Sequence, residues 1–311
     1  MIAFVFPGQG SQAVGMGKAF HDASPAARAI FQEADAALGF GLTRLVFEGP
    51  EAELALTTNT QPAVLTVSVA AAAVCAERGL AARLAAGHSL GEYSALVVAG
   101  ALRFADAVRV VHRRGRFMQE AMPVGEGAMA AIMGLELADV EAICAQAAQG
   151  EIVEVANINS PQQIVVAGHR TAVERAVKQA AERGGRKCVL LPVSAPFHCA
   201  LMKPAAERLA RELEAVAVAA PSIPVARNVD GEMTRTAADV KDALVRQVAS
   251  PVRWTECVRR LAGEGATTLV EVGPGRVLTG FTKRILDGAK GLAVEDPGGL
   301  DKALVELGGR A

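Results

Sequence analysis

The sequence predicts an α/β protein in which a parallel sheet is interrupted by an inserted βαββαβ subdomain. Short apolar runs at residues 1–6, 84–86, 225–229 and 268–272 alternate with helical periodicities, the order that a parallel sheet requires. Between residues 128 and 193 the texture changes to strand, helix, strand, strand, helix, strand, which is the ferredoxin-like split unit. Gly87-His88-Ser89-Leu90-Gly91 then follows an apolar run and leads into a helix, a serine turn of the kind that sits at the top of an α/β sheet. The expected units are a large body, residues 1–125 with 195–311, and an insert at 126–194 whose edges fall near Gly125 and Ser194.

Taken in order, the opening strand ends at Phe6, and Pro7-Gly8-Gln9-Gly10-Ser11-Gln12 makes a glycine-flanked loop. Gln9 reads either as a polar turn residue or as a backbone N–H left open to a ligand. Residues 22–38 read as helix, with Ser24-Pro25 supplying a cap and a first-turn proline. Thr60-Gln61-Pro62 gives a second start signal before the helix 63–77, which Gly79 ends. That helix is apolar nearly all round and should be buried. Helices at 92–98 and 104–122 follow the serine turn.

In the insert, strands are expected at 128–133, 153–158, 164–167 and 187–193, helices at 137–148 and 171–183, and a turn at Asn159-Ser160-Pro161-Gln162. Beyond it, helix 203–216, strand 225–229, helices 239–249 and 255–261 and strand 268–272 lead through Gly273-Pro274-Gly275 into a closing helix, 277–285.

Composition narrows the function classes. With 51% hydrophobic and 21% charged residues in 311, the chain can bury a large core, and no run approaches the roughly 18 consecutive apolar residues of a membrane span. The first residues run from an apolar strand into a glycine turn without a basic n-region, so a cytoplasmic location is expected. Five scattered cysteines without a Cys-x-x-Cys pair argue against disulfides and zinc. A net charge of -1 gives no global pull toward nucleic acid or membrane.

Ser89 is the candidate nucleophile, because glycines two residues either side let neighbouring backbone approach a sharp turn. His88, His112 and His198 are the candidate bases. His88 adjoins the serine and should point away from it, whereas His198 stands where the chain returns from the insert, beside a cleft between the two parts. Cys199 reads as packing. The helix 104–122 carries His112, Arg113, Arg114 and Arg116, mostly a solvated face. An arginine of this group turned inward near Ser89 would select an acidic substrate, since its planar fork matches a carboxylate.

These stretches together with Arg114-Gly115-Arg116-Phe117-Met118-Gln119 and Glu271-Val272-Gly273-Pro274-Gly275 resemble the malonyl-CoA:acyl carrier protein transacylases of type II fatty acid synthesis and the acyltransferase domains of polyketide synthases. The resemblance covers nearly the whole chain and implies an α/β-hydrolase-like large subdomain with the ferredoxin-like insert. It implies that Ser89 carries a malonyl ester between coenzyme A and the phosphopantetheine thiol of acyl carrier protein, with His198 as acid and base. The backbone carbonyl of Gln247 would orient His198, the N–H groups of Gln9 and Leu90 would form the oxyanion hole, and Arg114 would grip the malonyl carboxylate, with Arg113 the alternative by helical phase. Gln61 would be a further polar contact and Asn159 would line the cleft. Leu90 and Phe197 follow the malonyl-type pattern, an aromatic beside the base crowding an α-methyl branch. No cofactor is implied, and the two thioesters are substrates. A basic rim drawn from Arg116, Arg186, Lys187 and Lys283 would meet the acidic carrier, and a monomer is expected, with no nucleic-acid or membrane partner. A serine hydrolase or thioesterase, or a catalytically silent carrier-binding module, are the competing readings.

Overall fold

The structure is a computed structural model that describes residues 1–193 and 195–308; the expected insert edge at Ser194 and the end of the body at residues 309–311 lie outside the described residues. Two sheets organise it. β1 (Ile2–Phe6) and β2 (Leu84–Gly87) begin the first. β3 (Gly127–Met133), β4 (Val153–Ser160), β5 (Gln163–His169) and β6 (Lys187–Leu190) form the second. β7 (Val225–Ala226), β8 (Met233–Thr234), β9 (Thr268–Val272) and β10 (Lys290–Val294) return to the first. The first sheet has the order β10-β9-β1-β2-β7-β8, parallel except for β8. The second is antiparallel throughout, in the order β4-β5-β3-β6.

Side-chain alternation explains how both sheets are covered. In β1, Phe4 and Phe6 enter the main core while Ala3 and Val5 enter a second core with Trp254 and Leu261 on the opposite face. A strand covered on both faces has to be apolar throughout, as β1 is. In β3, Ala128, Ala130 and Ile132 pack against the helices Leu137–Ala148 and Arg170–Glu182, whereas Met129 and Ala131 turn toward the main core. The two parts are also sewn together through backbone. Ile158 N–H donates to Val252 O at 2.9 Å, and Val252 N–H donates to Ala156 O at 2.9 Å.

Several boundaries differ from the sequence expectation for physical reasons. The buried helix begins at Thr57, not after Thr60-Gln61-Pro62, and spans Thr57–Glu77 with Pro62 inside it. Pro62 has no N–H for the carbonyl of residue 58. The segment is held instead by packing: Gly115 lies so close that a Cβ there would come 2.5 Å from Thr57 O. The helix is long and apolar enough to cross a membrane by length and composition, but it is mostly buried inside the protein. Asn159 and Ser160 do not make the expected turn; they extend β4, across irregular registers that leave both side chains buried. The strand expected at 225–229 shrinks to two residues because the chain reverses into β8. The helix Val277–Ile285 does not close the chain, since β10 and the helix Pro297–Glu306 follow. Short helices Leu42–Glu48 and Glu51–Leu54 also escaped the periodicity reading.

β1 and β2 run side by side with Phe6 opposite Gly87, so both strands end at the same level. The helix Gly91–Val98 starts immediately above, with Gly91 pressed on β1: a Cβ there would lie 2.1 Å from Phe6 O and 2.9 Å from Pro7 O. Those obstacles are backbone and cannot swing aside. Gly91→Ala is therefore expected to cost at least the ~1–3 kcal/mol of an overpacked core and to lower Tm by several degrees in calorimetry. A wild-type Tm would contradict the close approach.

Candidate active site

Ser89 sits on the turn between β2 and the helix Gly91–Val98 with φ 51°, the left-handed region that a non-glycine residue adopts only under local constraint. A Cβ on Gly87 would lie 1.8 Å from the Gly91 carbonyl, so only glycine permits the turn to close this tightly. Asn228 clamps the turn from the side: its Oδ1 accepts from Ser89 N–H at 2.6 Å and its Nδ2 donates to Gly87 O at 2.8 Å. Ser89 Oγ is thereby brought 2.7 Å from His198 Nε2. His198 Nδ1 lies 2.9 Å from Gln247 O, an acceptor only, so Nδ1 carries the proton and Nε2 is left free to accept from the serine hydroxyl.

Arg114 answers the question of helical phase. It is 1% exposed and faces Ser89, whereas Arg113 is exposed and paired with Glu212. One terminal nitrogen, NH1, donates to Gln61 Oε1 at 2.8 Å; the other, NH2, donates to Gln247 Oε1 at 2.8 Å and to Ser89 Oγ at 3.1 Å. Its Nε is buried and finds no hydrogen-bond partner among the described residues. The Tyr93 ring lies 5.6 Å from the guanidinium. Behind this group, Gln247 Nε2 donates to Glu92 Oε2 at 2.8 Å and to Ser89 O at 3.0 Å, and the same Glu92 oxygen accepts from Asn228 N–H at 3.0 Å.

Burial sets the electrostatics. Desolvation, and then the positive Arg114, push the His198 imidazolium down to about 3, so the ring is neutral at ordinary pH. Desolvation pushes the Glu92 carboxyl up to about 7, opposed by its bonds from Asn228 and Gln247 and by Arg114. Burial also lowers Arg114 from its usual value, with Tyr93 and Glu92 opposing. A guanidinium starts high enough to remain charged.

Ser89, His198, Arg114 and Gln61 line a cavity of about 180 Å³ between the body and the insert. Gln9, Leu90 and Phe197 border it, and Gln9 Nε2 also donates to Thr57 Oγ1 at 3.2 Å. Asn159 reaches the cavity from β4, where its Oδ1 accepts from His88 Nε2 at 2.8 Å. His88 is thus engaged with Asn159 rather than with the serine hydroxyl, its ring tilted at 57° to that of Trp254 with centroids 5.6 Å apart. His112 lies on the outer side of its helix, over Phe40. A second cavity of about 210 Å³ adjoins the first, sharing Gln9, His88, Asn159, Val165 and Leu191 with it. Among the described residues no group of three or more His, Cys, Asp or Glu is placed to hold a metal ion. Of the residues singled out in the sequence, Gln9, Gln61, His88, Ser89, Leu90, Arg114, Asn159, Phe197 and His198 border the cavity and Gln247 supports two of them, whereas His112, Arg113 and Arg116 lie on the outer side of their helix, Arg113 against Glu212 and Arg116 beside Glu120. Asn228 was missed because it falls inside a segment that reads as an ordinary strand. Glu92 was legible only as the last residue of the serine stretch.

The chemistry available here is acyl transfer. A hydroxyl, a neutral base and a fixed cation meet within hydrogen-bonding distance of one oxygen. Comparison with known proteins gives the same class. The family described as acyl transferase domain matches residues 3–297. The chain is 51% identical over 305 residues to the malonyl CoA-acyl carrier protein transacylase of Salmonella typhimurium strain LT2, covering 98% of this chain and 99% of that one. With its counterpart in Escherichia coli strain K12 it shares 52% identity over 303 residues, covering 97% and 98%. Among solved structures, an acyl carrier protein S-malonyltransferase from Vibrio cholerae matches at a TM-score of 0.95 and 50% identity, covering 97% and 99%. A malonyl-transacylase in complex with a type II PKS acyl-carrier protein matches at 0.96 and 49%, covering 98% and 99%.

Because the His198 imidazolium lies well below its usual value, the ring stays a competent base as pH falls through 6.5. The rate at which a fluorophosphonate labels Ser89 should therefore remain flat across pH 8 to about 5. A midpoint near 6.5 would show an ordinary, solvated imidazole.

Proposed function

Since the chain belongs to the acyl transferase domain family, and within it to the malonyl CoA-acyl carrier protein transacylases, we propose that it moves a malonyl group from malonyl-CoA to the phosphopantetheine thiol of acyl carrier protein through an ester on Ser89, supplying extender units for fatty acid synthesis. The observation that carries this reading is the convergence on one hydroxyl of a base at 2.7 Å and a guanidinium at 3.1 Å.

Ser89 Oγ attacks the thioester carbonyl while its proton passes to His198 Nε2, already poised to accept it. The carbonyl oxygen becomes an oxyanion facing the backbone N–H groups of Gln9 and Leu90. Each such donor is worth about 3–4 kcal/mol in comparable sites. Collapse expels the coenzyme A sulfur, which takes the proton from His198 and leaves as the thiol. The phosphopantetheine thiol then attacks malonyl-Ser89, gives its proton to His198, and the same steps run in reverse to restore the serine. Gln247 O steadies the imidazole through Nδ1 as a dipole rather than a full charge, which fits a base that must be made again in each half-reaction. The cycle as written needs no cofactor.

Arg114 anchors the malonyl carboxylate and Gln61 holds the fork in plane. Phe197 beside His198 narrows the cavity against an α-methyl branch, and Asn159 braces the insert side. The adjoining cavity suits the extended pantetheine arm, and from Gln163 it continues into a hollow lined by Arg186, Lys187 and Arg284, a basic rim for an acidic carrier.

Intact-mass measurement after exposure to malonyl-CoA should show one malonyl group on the protein and none on Ser89→Ala. Arg114→Ala should lower kcat/KM for malonyl-CoA by about 100-fold, the loss expected for a charged hydrogen-bonded pair, while acetyl-CoA turnover holds or rises. Equal loss of both would remove Arg114 as the anchor.

A further inference from the structure

We propose that Glu92, acting through the side-chain amide of Gln247, is the positioning residue that holds the Arg114 fork over Ser89 and thereby sets the preference for an acyl group ending in a carboxylate. This rests on Arg114 as the carboxylate anchor.

Glu92 is 2% exposed, touches neither Ser89 Oγ nor the cavity, and has no part in the proton transfers. Its Oε2 receives two N–H groups, from Asn228 at 3.0 Å and from Gln247 at 2.8 Å. That oxygen is therefore an acceptor whether or not the other carries a proton. A carboxamide has one donating and one accepting end, so an acceptor on one side dictates what faces the other. With Nε2 committed to Glu92 and to Ser89 O, Oε1 must face Arg114 NH2, which it meets at 2.8 Å. Turning the amide over would set Gln247 Nε2 against the guanidinium and Oε1 against two acceptors.

The consequence is geometric. Arg114 NH1 is held by Gln61 and NH2 by Gln247, so two amide oxygens fix the plane and the reach of the fork. Arginine has substantial rotamer entropy to lose, and an incoming carboxylate gains most when that loss has already been met. Without Glu92 the Gln247 amide keeps the weaker, longer bond to Ser89 O to orient it, and the hold of its Oε1 on the guanidinium is loosened. Gln247 makes the link separable from catalysis, because its backbone carbonyl, not its side chain, holds His198. Replacing the side chain cuts the tie to Arg114 and leaves that carbonyl in place.

The test compares kcat/KM for malonyl-CoA and acetyl-CoA, with holo-acyl carrier protein as acceptor, in wild type, Glu92→Leu, Glu92→Gln, Gln247→Met, the Glu92→Leu/Gln247→Met double variant and Arg114→Ala. Glu92→Leu and Gln247→Met are each expected to lower the malonyl-to-acetyl ratio about tenfold or more, chiefly through KM for malonyl-CoA, as for a lost hydrogen bond to a charged group. Glu92→Gln keeps an acceptor at that place and should hold the ratio within about threefold. The double variant should fall no further than the worse single, because both cut one link. Equal decline on both substrates, additive effects, or an unchanged ratio in Gln247→Met would overturn the proposal; the last decides even if Glu92→Leu does not fold. If Arg114→Ala shifts the ratio and the Gln247 and Glu92 variants do not, this link alone is wrong. If Arg114→Ala leaves the ratio intact, the anchor reading fails and takes the link with it.

Discussion

Everything at the site depends on how closely the turn at Ser89 can be pressed against the end of β1. The left-handed backbone of Ser89 projects its hydroxyl toward His198, and that conformation holds only because the chain on either side has no side chain to keep it out. Gly87 meets the Gly91 carbonyl, and Gly91 meets the Phe6 carbonyl, in a stack of three backbone segments with no Cβ between them. Asn228 then binds both shoulders of the turn. The local strain of about 1–3 kcal/mol is thus spread over contacts that belong to the sheet rather than to the loop.

The second constraint is a buried positive charge. An arginine taken wholly out of water is tolerated only where its N–H groups are met. Here two glutamine oxygens and a serine hydroxyl meet its two terminal nitrogens, while Nε has no partner among the described residues, and the Glu92 carboxyl stands behind Gln247 rather than in direct contact. A direct Arg-Glu pair would occupy the fork with an internal carboxylate. Placing a neutral amide between them leaves the guanidinium satisfied yet free to exchange a weak acceptor for a stronger one. Burial first, and this charge second, keep the neighbouring imidazole neutral, so the cation that recognises substrate also helps to set the state of the base.

Much of this was legible in the sequence, for reasons specific to each part. The order of strands and helices is written in apolar runs, and the insert is visible in the succession strand, helix, strand, strand, helix, strand that β3 to β6 follow. Ser89 was legible through its glycines; Arg114 was reached only through the resemblance, with Arg113 left open by helical phase, and in the structure Gly115 presses that helix onto Thr57. What was hidden depends on tertiary contact. Pro62 looked like a helix start because local chemistry favours it there, and packing overrode that preference. Asn159 looked like a turn residue because asparagine beside Ser-Pro usually is one, and the irregular register of β4 turned its side chain inward instead. Asn228 carries no local signal, since the turn it clamps lies more than a hundred residues away in the chain.

One stretch of eight residues ties separate parts of the site to a single footing. Gln247 fixes the imidazole by its backbone and the guanidinium by its side chain, Val252 joins β4 of the insert by two backbone hydrogen bonds, and Trp254 packs on His88 beside the serine. A small displacement of this stretch would carry base, cation and far wall in the same direction. Alignment errors are then common to the whole assembly rather than relative between its members, and the spacing between reacting groups is insulated from drift of the surrounding scaffold.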